Sequence, residues 1–141
     1  HFYHIDVYLG QDEEDWLENP ELNRSTLMGI EISTESPEHL LTPDKLIIGD
    51  FSIDVLHTPG HSPGSSSFVF KDHNFVISGD VLFRHGVGRT DLPGGSFPQL
   101  QDSILNQLYH LPEHYIVYPG HGPETTIAEE KQNNPFVPGQ K

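Results

Sequence analysis

The stretch Phe51-Ser52-Ile53-Asp54-Val55-Leu56-His57-Thr58-Pro59-Gly60-His61 decides how this chain is read. An alternating apolar run stops at a Pro-Gly turn, and a histidine follows at once. Period-two alternation marks a strand, and a Pro-Gly turn lets the backbone swing the next side chain over the sheet edge. The arrangement recurs. Ser78-Gly79-Asp80 closes the apolar run that starts at Phe75, and Tyr118-Pro119-Gly120-His121 closes the run that starts at Tyr115. Three times, a potential metal ligand stands just past a strand end.

Residues 45–48 and 51–56 read as two strands around Gly49-Asp50, a hairpin turn pair. Residues 67–70 and 75–78 are two more, joined across Asp72-His73-Asn74, and 115–118 read as a buried strand. Ser96 with Gln99 has the capping-box spacing, and Leu100, Ile104, Leu105 and Leu108 follow on one helical face that must stop before Pro112. Thr126 with Glu129 opens a second helix to about Gln132. Toward the start, 5–10 read as a short strand and 12–17 as a short helix with an acidic first turn. Residues 21–45 read as a connection with little regular structure, and 83–95 as a Gly-rich loop carrying Arg84, Arg89 and Asp91. Strands, then helix, strand and helix predict an α/β fold, a layered sheet with a helix on one face.

At 141 residues the chain is at most one domain. Seven basic against 21 acidic residues give a net charge of −14, which argues against nucleic acid and against anionic membrane surfaces. No apolar run reaches the ~18 residues of a membrane span, and no secretory signal is visible. Cysteine is absent, so no disulfide and no thiolate ligand is available, and a cytoplasmic location is expected. The chain starts with His1 rather than Met, which suggests a missing or processed start.

Taken singly, His61 reads as a surface histidine, Asp80 as a turn former and His121 as unremarkable between two glycines. Together they are what a carboxylate-bridged metal pair needs: an Asp can bridge two ions roughly 3.5–4 Å apart while a histidine anchors each. With no sulfur ligand, zinc, iron and manganese all suit the donors.

His57-Thr58-Pro59-Gly60-His61-Ser62, Ser78-Gly79-Asp80 and Tyr118-Pro119-Gly120-His121-Gly122 resemble the later metal-binding motifs of the metallo-β-lactamase superfamily. The segments Gly88-Arg89-Thr90-Asp91-Leu92-Pro93-Gly94-Gly95-Ser96 and Gly120-His121-Gly122-Pro123-Glu124-Thr125-Thr126 resemble its glyoxalase II (hydroxyacylglutathione hydrolase) branch in its short form. The resemblance implies an αββα sandwich holding two metal ions, zinc first, with iron or manganese as alternatives. It implies that His61 completes the first metal's histidines, Asp80 bridges both metals and is the catalytic carboxylate, and His121 binds the second. A hydroxide held between the metals would then attack a thioester such as an S-lactoylglutathione-like substrate.

The family's first motif, His-x-His-x-Asp-His, is not in the chain. His1-Phe2-Tyr3-His4 echoes its end with Tyr3 where Asp belongs, but His1 and His4 read better as helix-end or ordinary residues. The expectation is therefore one N-terminally truncated domain over 1–141, mainly the C-terminal half of the sandwich. It would have an unpartnered sheet face open to oligomerisation, weak metal binding and negligible turnover.

Arg89 and Asp91 either orient a substrate or pair with each other structurally. Lys131 either meets a substrate carboxylate or is solvated at a helix end. His57 reads as packed near the site, His73, His110 and His114 as surface, and Tyr8, Trp16 and Phe51 as core. Two other functions compete with the thioester hydrolase. An iron-dependent persulfide dioxygenase of the same superfamily has a similar Gly-Arg-Thr-Asp loop. A non-catalytic fragment would keep the late motifs without holding metal.

Overall fold

A computed structural model describes residues 5–139. They fall into two compact units, one up to Thr42 and one from Pro43 onward. His1 and His4 lie outside the described residues.

In the first unit, β1 (Tyr8–Gly10) pairs in parallel with β2 (His39–Leu41), with Tyr8 opposite His39. The Tyr8 ring stacks on the His39 imidazole at 4.5 Å, and His39 Nε2 meets Asp6 Oδ2 at 2.9 Å. The expected helix is a 3₁₀ stretch, Gln11–Trp16, broken at Glu13. Six residues with no buried side chain are too few to propagate an α-helix. β2 was not expected. Tyr8 and Trp16 are half-buried rather than core.

The second unit contains β3 (Lys45–Ile48), β4 (Phe51–His57), β5 (Ser66–Phe70), β6 (Phe75–Gly79), β7 (Leu82–Phe83), β8 (Gly86–Val87), α1 (Phe97–Asn106), β9 (Ile116–Pro119), β10 (Thr125–Thr126) and α2 (Ile127–Asn133). Six strands make one sheet in the order β10-β9-β6-β5-β4-β3. The β3–β4 hairpin forms where expected, with Ile48 opposite Phe51 and Gly49 at φ +55°, the left-handed backbone that such a turn demands. β4 pairs antiparallel with β5, β5 antiparallel with β6, and β6 parallel with β9. It follows that β4, β6 and β9 all run in one direction, so their C-terminal ends share one edge of the sheet.

Register sets Val69, Val76 and Val117 side by side on one sheet face, all fully buried. Leu100, Ile104 and Leu108 cover them from α1 and the turn after it, each at 0% exposure. Burying a side chain of this size is worth about 1.5–3 kcal/mol. Both predicted caps form: Ser96 Oγ accepts from the Gln99 N–H, and Thr126 Oγ1 accepts from the Glu129 N–H at 3.1 Å.

The opposite face differs from expectation. Ile116 and Tyr118 flank buried Val117 yet are 37% and 40% exposed, so β9 alternates rather than being buried on both sides. Phe51, expected in the core, is 48% exposed at the hairpin tip, where it meets the rings of Phe70 and His73. The β7–β8 hairpin stands inside what read as loop. No helix among the described residues is long and apolar enough to cross a membrane.

Candidate metal centre

The shared edge explains why three distant motifs meet. His61 follows β4, Asp80 follows β6, and His121 follows β9. β6 and β9 end in step, with Gly79 opposite Pro119 and the Gly120 N–H donating to the Gly79 carbonyl at 2.8 Å. This brings His121 Nδ1 to 2.9 Å from Asp80 Oδ1. The other Asp80 oxygen, Oδ2, lies 3.6 Å from His61 Nε2. The two expected histidine ligands thus flank the third, the Asp80 carboxylate. His61 and Asp80 are partly sheltered, at 25% and 29% side-chain exposure, while His121 is 76% exposed.

The turn that presents His61 is clamped on α1. Gly60 sits at φ +134°, and a Cβ there would collide with the backbone of Leu100. The Ser96 N–H donates to the Gly60 carbonyl and the Ser103 hydroxyl to the Pro59 carbonyl, each at 2.8 Å. The imidazole itself is oriented by Nδ1, which lies 2.8 Å from the Arg89 carbonyl. A carbonyl only accepts, so Nδ1 carries a proton and Nε2 is the ring nitrogen that faces Asp80.

Asp80 is crowded by glycine on two sides. A Cβ on Gly120 would overlap Asp80 Oδ1, and one on Gly88 would overlap the Asp80 carbonyl. Phe83 lies edge-on to His121 with ring centroids 6.0 Å apart. Ser78, fully buried, donates its hydroxyl to the Leu82 carbonyl at 2.9 Å and fixes the bend through which the chain leaves Asp80.

Arg89 and Asp91 form a two-pronged ion pair, Nε to Oδ1 and Nη2 to Oδ2, both at 2.8 Å. That pairing holds the Asp91 carboxyl down at about 2, below its ordinary value of 3.8. Arg89 reaches the centre only through its backbone carbonyl. Lys131 is paired with Glu113 at 3.2 Å. His57 is half-buried, with Nε2 2.7 Å from the Pro63 carbonyl, and His73, His110 and His114 are exposed.

The donor chemistry fits a hard or borderline metal: imidazole nitrogens and a carboxylate, the histidine with its second nitrogen tied down as metal-binding histidines have it. The donor set is incomplete. Among the described residues, no three His, Cys, Asp or Glu side chains are arranged to surround an ion. Asp80 turns its oxygens onto the two imidazoles instead.

Sequence reading singled out the candidate ligands but not their supports. Gly60, Gly88 and Gly120 lie within its motifs, and the signal was their invitation to close backbone approach. Ser103 and Glu130 carried no such signal.

The family model described as "Metallo-beta-lactamase superfamily" matches residues 3–121. The chain is 50% identical over 137 residues to the "Probable metallo-hydrolase YqgX" of Bacillus subtilis, covering 96% of this chain and 65% of that protein. It is 42% identical over 92 residues to the "Hydroxyacylglutathione hydrolase GloC" of Haemophilus influenzae, covering 65% of this chain and 43% of that one. The chain therefore spans less than two thirds of these curated relatives. Among solved structures, the BLEG-1 B3 metallo-beta-lactamase matches with a TM-score of 0.93 at 49% identity, over 98% of this chain and 68% of that one. TTHA1623 in a di-iron-bound form matches with a TM-score of 0.82 at 37% identity, over 94% and 65%. With the loops that carry His61, Asp80 and His121 on one sheet edge and a family model spanning most of its length, this chain belongs to the metallo-beta-lactamase superfamily.

Proposed function

We propose that the chain serves a metal-dependent hydrolase whose substrates are thioesters of the S-lactoylglutathione class. The observation that carries this reading is Asp80 standing between His61 and His121 at the ends of three co-directional strands. His61 would hold one ion through Nε2, His121 a second, and Asp80 would span the two. When bound, such ions polarise a carbonyl and lower the pKa of water. The chain's own part is to orient the His61 ring through the Arg89 carbonyl, to hold Asp80 between Gly88 against its backbone carbonyl and Gly120 against its carboxylate, and to wall the site with Phe83. The remaining ligands would come from residues other than those described. Zinc is the expected metal, and the di-iron form of TTHA1623 keeps iron in view.

The substrate class rests on the Gly88–Ser96 and Gly120–Thr126 segments and on the hydroxyacylglutathione hydrolase among the relatives. The test is thiol release from S-lactoylglutathione by the purified protein, before and after chelation. Chelator-sensitive release supports the proposal. No release, with oxygen uptake on glutathione persulfide, would replace it with the dioxygenase.

A further inference from the structure

Glu130 is fully buried on α2, yet among the described residues it faces no cation within hydrogen-bond distance. Its partners are neutral donors from three separate elements. Oε1 accepts from the Thr125 hydroxyl at 2.7 Å, and Oε2 accepts from Asn134 Nδ2 at 2.8 Å. The His85 N–H points between both oxygens, at 3.1 and 3.0 Å. His85 sits at φ +55°, an uncommon backbone state for a residue other than glycine, at the tip of the β7–β8 hairpin. Asn134 also donates to the Gly86 carbonyl at 3.1 Å, doubling the hold on that tip.

Two of these partners, His85 and Thr125, lie on particular stretches of chain. The hairpin tip belongs to the segment that leaves Asp80 and returns as Gly88, against the Asp80 carbonyl, and Arg89, against His61. Thr125 belongs to the segment that leaves His121. A buried carboxylate is costly unless every lone pair is used, and here its contacts tie those two segments together.

We infer that Glu130 is a positioning residue for the metal centre, setting the separation of the Asp80 and His121 loops. The inference rests on the metal-site reading above. It is a matter of hydrogen-bond geometry rather than charge. In Glu130→Gln the amide oxygen can still accept from His85 and Asn134, while its NH₂ donates to a Thr125 hydroxyl that has turned round. In Glu130→Ala nothing replaces the clamp.

The test compares wild type, Glu130→Gln, Glu130→Ala and Thr125→Val. Two quantities are measured: amide exchange over residues 82–89 in metal-free protein, and cobalt(II) affinity with its visible absorption spectrum. Glu130→Ala should speed exchange at 82–89, alter the cobalt spectrum and weaken affinity by about 10–100-fold, as loss of groups behind metal ligands does. Thr125→Val should shift both in the same direction by less, and it decides the matter if Glu130→Ala does not fold. Glu130→Gln should restore near wild-type exchange and spectrum. Folded Ala or Val variants with wild-type exchange and affinity would overturn the inference, as would a Gln variant as damaged as the Ala variant. Wild-type protein that takes up no cobalt would contradict the metal reading instead, while exchange would still decide whether the clamp exists.

Discussion

The Arg89 carbonyl and the His61 imidazole are joined at 2.8 Å, and that bond determines which nitrogen of His61 faces Asp80. The contact is made by backbone, so the identity of the Arg89 side chain is irrelevant to it. Arg89→Ala should leave metal affinity close to wild type while freeing Asp91. A KM increase with unchanged metal affinity would mark the side chain as a substrate contact. A lost metal site would contradict the backbone assignment.

The Arg89–Asp91 pair also makes a pH prediction. The folded-state value of Asp91 is lowered to about 2 from 3.8, so the pairing is fully present above about 4 and is lost as pH falls through 2. Both groups are well exposed, so the effect on global stability should be small. A carboxyl ¹³C titration of Asp91 should show its midpoint near 2, and Arg89→Ala should raise it, with the backbone hydrogen bond still favouring the charged form. A wild-type midpoint at the ordinary value would show that the pair does not persist in solution.

Two neighbouring glycines should fail differently. Gly120→Ala places a methyl on the Asp80 carboxylate and should cost metal binding first, with an overpacking penalty of about 1–3 kcal/mol. Gly122 sits at φ +79° with open space around its Cβ position, so Gly122→Ala should cost only backbone strain, about 1–2 kcal/mol. Thermal melts and metal titrations on both variants separate the two effects. Equal loss of metal in both would contradict the steric account.

The clamp on the His61 turn is open to test through α1. Ser103→Ala deletes the bond to the Pro59 carbonyl and should destabilise by about 0.5–1.5 kcal/mol. Leu100→Ala removes a fully buried side chain that packs under Gly60 and should cost about 2–5 kcal/mol. Denaturant unfolding measures both, and a neutral Leu100→Ala would refute the packing described.

Much of this was legible because it is local. The Gly49-Asp50 hairpin, the β5 and β6 strands and the Ser96 and Thr126 caps depend on residues within a few positions of one another. What was missed is non-local or too short to show a period. The β1–β2 pairing joins residues about thirty positions apart, and β7 and β8 are two residues each. The burial of β9 was overstated, because an apolar run reads the same whether one face is covered or both. The candidate ligands His61, Asp80 and His121 were visible as strand-end residues, but Glu130 was not. A buried carboxylate and a solvated one are identical in sequence, and its partners at 85, 125 and 134 meet it only in the fold.

The central claim is that His61, Asp80 and His121 belong to one metal centre. It is tested most directly by metal per molecule, from elemental analysis of the protein as isolated, with its intact mass checked in the same sample, beside Asp80→Ala. The account predicts metal in the wild type, at most the two ions a carboxylate-bridged pair holds, and a sharp fall in the variant. Metal that is absent from the wild type, or retained in full by Asp80→Ala, would contradict it.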